Sequence, residues 1–223
     1  MRWTLPNILT VLRLAAAPSI GLAFAFVARP AADWLAILLF VAAAVTDYLD
    51  GHIARLRNQM TAFGRMLDPI ADKAMVVIAL AMIVGLYGPQ PLVVIPVSLI
   101  MLREIFVSGL REYLGADAGK LQVTNLAKWK TTAQMVAIPV LFLANIFSYN
   151  ATQIYNQIGP AAGEAILAGT ADDEFGFYSY YLLSEYGRPA GLVMIWLAAA
   201  LTVMTGWDYL RKAMPFLAEK DGE

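Results

Sequence analysis

Long apolar runs, broken by short polar turns, constrain the fold of this chain more than any other feature of its sequence. Residues 14–28 contain no charged side chain, and comparable runs recur along the chain. Of the 223 residues, 60% are hydrophobic and 15% are charged, whereas about a quarter of a typical soluble domain is charged. The runs are continuous rather than alternating, which argues against a transmembrane β-barrel. The sequence therefore predicts an all-α, polytopic integral membrane protein.

Six transmembrane helices are predicted from these runs and from the turns between them. Their approximate bounds are residues 8–27, 34–50, 66–87, 92–113, 128–147 and 189–210. Asp33 is expected to cap the second helix, and residues 148–188 are expected to form a long extracytoplasmic loop. The alternative for the first run is a cleaved signal peptide. Asn7 and Arg13 interrupt the start of that run, and its length favours a retained span.

The lysines and arginines predict the orientation of the helices. Fourteen of the 16 lie in the two terminal segments, near the starts of the first and third helices, between the second and third helices, or between residues 103 and 130. Only Arg29 and Arg188 lie at the opposite ends of the helices. Because basic residues are retained on the cytoplasmic side, both termini are expected there, and residues 1–223 are expected to form a single membrane domain.

Four aspartates are predicted at the cytoplasmic ends of the second and third helices. They are Asp47, Asp50, Asp68 and Asp72. The uncharged part of the second helix, residues 34–46, covers only about 20 Å, whereas the hydrocarbon core is about 30 Å thick. The first two aspartates therefore fall at the inner edge of the bilayer, where ionisable side chains are costly and usually functional.

Divalent cations would neutralise this acidic group. With one histidine and no cysteine in the chain, a metal must bind oxygen ligands, which favours Mg²⁺, Mn²⁺ or Ca²⁺. Two such ions suit an in-line displacement at phosphorus. The alternative is a structural charge network in which Arg55 and Lys73 neutralise the aspartates.

The spacing of this stretch resembles the signature of the CDP-alcohol phosphotransferase family at every fixed position. The matching residues are Asp47, Asp50, Gly51, Ala54, Arg55, Gly64, Asp68 and Asp72. The resemblance implies a six-helix membrane enzyme, a homodimer, in which an alcohol displaces CMP from a CDP-linked donor. It implies that the four aspartates bind two divalent cations, Mg²⁺ or Mn²⁺, and that Asp72 is also the catalytic base. It further implies contacts with the CDP moiety from Gly51, Ala54, Arg55 and Gly64.

Around and beyond the signature, residues 7–13, 66–73, 103–105, 110–112 and 128–134 resemble the bacterial members that use glycerol 3-phosphate. The implied reaction transfers the phosphatidyl group of CDP-diacylglycerol to sn-glycerol 3-phosphate, giving phosphatidylglycerol phosphate and CMP. The implied location is the bacterial inner (plasma) membrane, with the active site facing the cytoplasm.

Basic residues on the fourth and fifth helices predict a pocket for the phosphate of the acceptor. Arg103 and Arg111 share one helix face, and Lys128 and Lys130 begin the next helix at the same depth. The alternative is the ordinary excess of basic residues on the cytoplasmic side, with Glu104 simply pairing with Arg103 or Lys130.

Other functions stay open at this point. Within the family the acceptor could instead be inositol phosphate, serine or phosphatidylglycerol. A protein of another class, a cation transporter, would use the aspartates as ion sites, but the second and third helices are apolar beyond them. Arg13 either reaches the nucleotide or follows the positive-inside bias.

Overall fold

The computed structural model describes residues 4–56, 61–115, 119, 121 and 125–220, with the side chains of 48, 50–56, 125, 127, 128 and 218–220 outside that description. Seven α-helices make up most of these residues. They are α1 (Leu5–Phe26), α2 (Ala31–Leu56), α3 (Ala62–Tyr87), α4 (Pro91–Leu114), α5 (Asn125–Ile158), α6 (Pro160–Leu167) and α7 (Phe177–Lys220).

Several of these helices have the length and composition of membrane spans. Within the described residues, five segments qualify: Leu5–Phe26, Ala62–Tyr87, Pro91–Leu114, Trp129–Ile158 and Phe177–Leu217. Many of their apolar side chains point outward, for example Leu12 on α1 at 59% exposure and Leu102 on α4 at 65%. The prediction of an all-α membrane protein with several spans is therefore confirmed.

The first four helices begin and end within a few residues of the predicted bounds. The predicted N-terminal cap of α2 is wrong. Thr61 caps α3, since its hydroxyl accepts a hydrogen bond from the Gly64 amide at 3.0 Å. Asp33 does not cap α2, because the helix already begins at Ala31. Asp33 is instead fully buried and accepts two hydrogen bonds from the Arg29 guanidinium, at 2.8 and 2.9 Å.

The prediction that residues 148–188 lie outside the fifth and sixth helices is wrong. The α5 helix continues to Ile158 and α7 begins at Phe177, with α6 between them. The prediction used the end of the apolar run as the end of the helix. The extra turns persist because Ala151, Ile166 and Phe177 bury one another, and burial of apolar surface stabilises a helix whatever its own propensity.

The start of α7 is also capped from the preceding segment. The backbone amides of Phe177 and Tyr178 donate to the two carboxylate oxygens of Asp173, at 2.8 and 2.9 Å. A carboxylate suits a helix N-terminus because it satisfies amides that have no partner within the helix.

The chain divides into two compact units. The first comprises Met1–Gly88 and Ile138–Gly191, and the second comprises Pro89–Ala137 and Leu192–Glu223. In the first unit α1 packs against both α2 and α3. The first unit therefore contains the aspartates of the signature, and the second contains the basic residues of α4 and α5.

Candidate active site

One face of α1 carries three buried polar side chains. Asn7, Thr10 and Arg13 are 2%, 1% and 3% exposed, and their spacing of three residues puts them on the same side of the helix. Buried polar groups in a protein interior require partners. The partners of these three side chains define the site.

Asn7 holds the start of α3. The Thr61 hydroxyl donates to Asn7 Oδ1 at 2.8 Å. A Cβ atom at Gly64 would lie 2.8 Å from that same oxygen, which is closer than side chains tolerate. The absence of a side chain at Gly64 therefore permits the close approach of α1 and α3, which is a reason for glycine that is independent of donor binding.

Thr10 contacts one of the four aspartates. Its hydroxyl donates to Asp68 Oδ1 at 2.7 Å. Asp68 lies on α3 one turn before Asp72, so this hydrogen bond ties the α1 face to the acidic face of α3.

Arg13 joins the other two aspartates whose side chains are described. A single nitrogen, Nη1, donates to Asp47 Oδ1 at 2.6 Å and to Asp72 Oδ1 at 2.5 Å. Its two hydrogens suffice for the two bonds. The Arg13 side chain is 1% exposed, whereas those of Asp47 and Asp72 are 48% and 42% exposed. The guanidinium thus lies on the buried side of a carboxylate pair that opens outward.

This arrangement suits a cation between carboxylates from two helices. The oxygen donors are those that Mg²⁺ and Mn²⁺ prefer, and a positively charged group already bridges Asp47 and Asp72. Among the described side chains, no group of three carboxylates or imidazoles is close enough to hold a metal. The side chain of Asp50, the fourth predicted ligand, lies outside the described residues.

The predicted contacts with the CDP moiety are only partly visible. Gly51, Ala54 and Arg55 lie in the last two turns of α2, but the surroundings of these three residues are outside the described part of the structure. Gly64 is buried in the first turn of α3.

In the second unit, two of the predicted acceptor-binding residues share one carboxylate. Lys130 Nζ and Arg103 Nη1 both donate to Glu104 Oε1, the latter at 3.3 Å. All three side chains are mostly buried, with exposures of 7%, 16% and 12%. The expectation that Glu104 pairs with these residues is confirmed for both. Together the side chains of Arg103, Glu104 and Lys130 carry one net positive charge.

The surroundings of Arg103 depend on a glycine of α7. A Cβ atom at Gly206 would lie 2.9 Å from Arg103 Cγ, so the arginine stem crosses α7 where a side chain is missing. Arg103 Nε is buried and has no hydrogen-bond partner among the described residues. Arg111 is exposed in the last turn of α4, and the side chain of Lys128 is not among those that the structure describes.

Sequence reasoning missed the α1 face. It considered Arg13 only for the nucleotide or the charge bias, and gave Asn7 and Thr10 no role in the site. The available signal was three polar residues at helical spacing within an otherwise apolar span, a pattern that predicts polar partners on neighbouring helices.

Comparison with known sequences identifies the class of protein. The family model for CDP-alcohol phosphatidyltransferases matches residues 3–171. The chain therefore belongs to the CDP-alcohol phosphatidyltransferase family.

Two individual relatives are similar over almost the whole chain, and a third over part of it. A CDP-diacylglycerol–glycerol-3-phosphate 3-phosphatidyltransferase of Cereibacter sphaeroides is 53% identical over 223 residues, which is 99% of this chain and 100% of that protein. The protein of the same name from Rickettsia bellii is 38% identical over 93% of each chain. A third of that name, from Haemophilus influenzae, is 40% identical over 62% of this chain and 75% of its own length.

Proposed function

We propose that this protein transfers the phosphatidyl group of CDP-diacylglycerol to sn-glycerol 3-phosphate in phospholipid biosynthesis. The reaction class is supported by one structural observation above all: the Asp47 and Asp72 carboxylates of two helices meet at a single nitrogen. The acceptor is supported by the names of relatives that are similar over nearly the full chain.

The chemistry is a displacement at phosphorus. The 1-hydroxyl of glycerol 3-phosphate forms a bond to the phosphorus that carries diacylglycerol, and the bond from that phosphorus to the CMP oxygen breaks. CMP leaves with the electron pair, and Asp72 accepts the proton of the hydroxyl. Asp72 belongs to the half-exposed pair, which suits a group that must reach a substrate from outside.

The metal ligands in this proposal are Asp47, Asp50, Asp68 and Asp72. Two divalent cations, Mg²⁺ or Mn²⁺, would supply stabilisation of the charge on the diphosphate and on the leaving CMP. Thr10 orients Asp68 through its hydrogen bond, and the CDP moiety would contact Gly51, Ala54, Arg55 and Gly64, with the Arg55 guanidinium suited to a diphosphate.

The basic residues of the second unit would bind the phosphate of the acceptor. They are Arg103, Arg111, Lys128 and Lys130. Glu104 neutralises one of the two cations that it contacts, and the remaining positive charge favours an anionic acceptor over serine.

The proposed topology has six spans: the five segments given above and, in addition, α2. Its 26 residues extend over about 39 Å at about 1.5 Å per residue, which exceeds the hydrocarbon thickness of about 30 Å. The distribution of basic residues supports cytoplasmic termini and a cytoplasmic active site, in a single-domain protein of the inner membrane that forms a homodimer.

The decisive experiment measures release of CMP from CDP-diacylglycerol by the purified protein. Asp47→Asn and Asp72→Asn should each abolish turnover while leaving the protein folded. The control is Asp208→Asn, since Asp208 is 43% exposed and also pairs with a cation, Lys212, at 2.7 Å. Near-normal turnover in both signature variants would refute the two-metal mechanism.

The acceptor is tested in the same assay. Glycerol 3-phosphate, inositol phosphate, serine and phosphatidylglycerol are compared with one labelled donor, in Mg²⁺ and in Mn²⁺. Glycerol 3-phosphate should have the highest kcat/KM, and a higher value for any other acceptor would overturn the assignment.

A further inference from the structure

Arg13 is placed unusually for a basic residue near a cation site. Its guanidinium is buried beneath Asp47 and Asp72, with both carboxylate oxygens within 2.6 Å of Nη1. A residue that only obeyed the positive-inside rule would extend to the aqueous interface. The contacts with α2 and α3 instead make Arg13 part of the acidic site itself.

The carboxylates need such a partner when no metal is bound. Two like charges held close together at partial burial repel each other strongly, and a buried guanidinium offsets that repulsion by donating a hydrogen bond to each carboxylate. The same positive charge must also oppose a divalent cation that binds to Asp47 or Asp72, because like charges a few ångströms apart repel.

We propose that Arg13 is a built-in counter-ion of the acidic site, which holds Asp47 and Asp72 together in the metal-free protein and lowers the affinity of the site for divalent cations. This inference rests on the metal site of the proposed function. Its consequence is that complete loading with metal is favoured when the negatively charged diphosphate of the donor also arrives, so that loading and donor binding are coupled.

The test is the binding of Mn²⁺ to the detergent-purified chain, followed by the electron paramagnetic resonance signal of free Mn²⁺. Replacing Arg13 with a neutral side chain, Arg13→Gln, should lower the Kd for Mn²⁺ on the order of tenfold, because a unit charge near the ion is removed. Arg13→Lys retains the charge and should keep the Kd close to the wild-type value.

Thermal unfolding supplies a second readout. A ligand stabilises the folded state according to its affinity, so Mn²⁺ should raise the unfolding temperature of Arg13→Gln more than that of the wild type. A packing role alone would lower the stability of the variant without enlarging the shift caused by metal. If Arg13→Gln folds only when Mn²⁺ is present, the counter-ion role is likewise supported.

Two outcomes overturn the proposal and are distinguishable from each other. An unchanged or higher Kd in Arg13→Gln, with binding abolished by Asp47→Asn, would leave the metal site intact and remove the counter-ion role. Unchanged Mn²⁺ binding in Asp47→Asn would remove the metal site as well. If Arg13→Gln cannot be purified in any buffer, Arg13→Lys decides, and a tenfold change of its Kd in either direction overturns the proposal.

Discussion

Glu104 is the counter-charge for two buried cations, and its replacement by Gln should destabilise the protein strongly. The carboxylate accepts from both Lys130 and Arg103, and its side chain is only 12% exposed. In Glu104→Gln the two positive charges remain buried and lose the carboxylate that they share. Such a loss of one partner from a buried ion pair costs about 3–5 kcal/mol.

The partial exposure of Arg103, at 16%, favours the lower end of that range, about 3 kcal/mol. Lys130→Met should cost less, about 1–2 kcal/mol, since Glu104 retains Arg103 as a hydrogen-bond partner. The double variant removes both charges of the closer pair, so its cost should fall below the sum of the two single costs. The expected coupling free energy is about 2 kcal/mol.

The assay is the free energy of unfolding in mixed micelles titrated with SDS, followed by tryptophan fluorescence. The chain has five tryptophans, of which Trp129 is adjacent to Lys130. The matched control is the exposed pair of Lys212 and Asp208, whose side chains are 36% and 43% exposed. Exposed ion pairs of this kind are coupled by only about 0.3–0.5 kcal/mol.

A coupling free energy between Glu104→Gln and Lys130→Met that is no larger than that of the exposed control pair would refute this reasoning. It would mean that water or other groups neutralise the cations as well as Glu104 does. A stable Glu104→Gln variant would have the same meaning.

Two further predictions concern a close packing contact and a buried ion pair. Gly206→Ala should raise the KM for glycerol 3-phosphate severalfold, because the added Cβ would lie 2.9 Å from Arg103 Cγ. The control is Gly109→Ala, which should leave the KM unchanged because nothing lies within 4 Å of the added Cβ. Equal KM values for the two variants would argue against a role for Arg103 in acceptor binding. Asp33→Asn should lower the free energy of unfolding by about 3 kcal/mol, because it removes a fully buried carboxylate that neutralises Arg29. The control is Asp172→Asn at an exposed position, which should change the free energy of unfolding by less than about 0.5 kcal/mol. Similar thermal midpoints for the two variants would contradict this prediction.

The sequence was most informative where a single physical effect dominates. Apolar runs predict membrane helices because backbone polar groups in lipid must bond within the helix, and α1 to α4 follow their runs closely. The same reasoning failed for the ends of α5 and α7, which extend into residues 148–188. There the helix is stabilised by tertiary contacts, such as those of Phe177 with Ala151 and Ile166, and a linear hydropathy pattern contains no information on such contacts.

The candidate site was predictable in its acidic residues and not in their partners. Four aspartates within 26 residues are conspicuous in a chain that is 60% hydrophobic, whatever lies around them. The charge-network alternative named Arg55 and Lys73, which are near in sequence, and did not include Arg13, which comes from a different helix and contacts Asp47 and Asp72. Packing of α1 against α2 and α3 brings this residue to the site, and proximity along the chain could not predict it.

The position of Arg13 changes how the two original interpretations of the acidic stretch relate to each other. A structural charge network and a metal site were treated as alternatives, since an internal cation would make a bound metal unnecessary. In the structure the network and the candidate ligands are the same residues: Arg13 bonds Asp47 and Asp72, and Thr10 bonds Asp68. A cation site at the edge of a bilayer must also be stable before its metal arrives, because unneutralised carboxylates at that depth are costly. An internal arginine meets this requirement, and the same positive charge would limit how tightly the proposed site holds a metal.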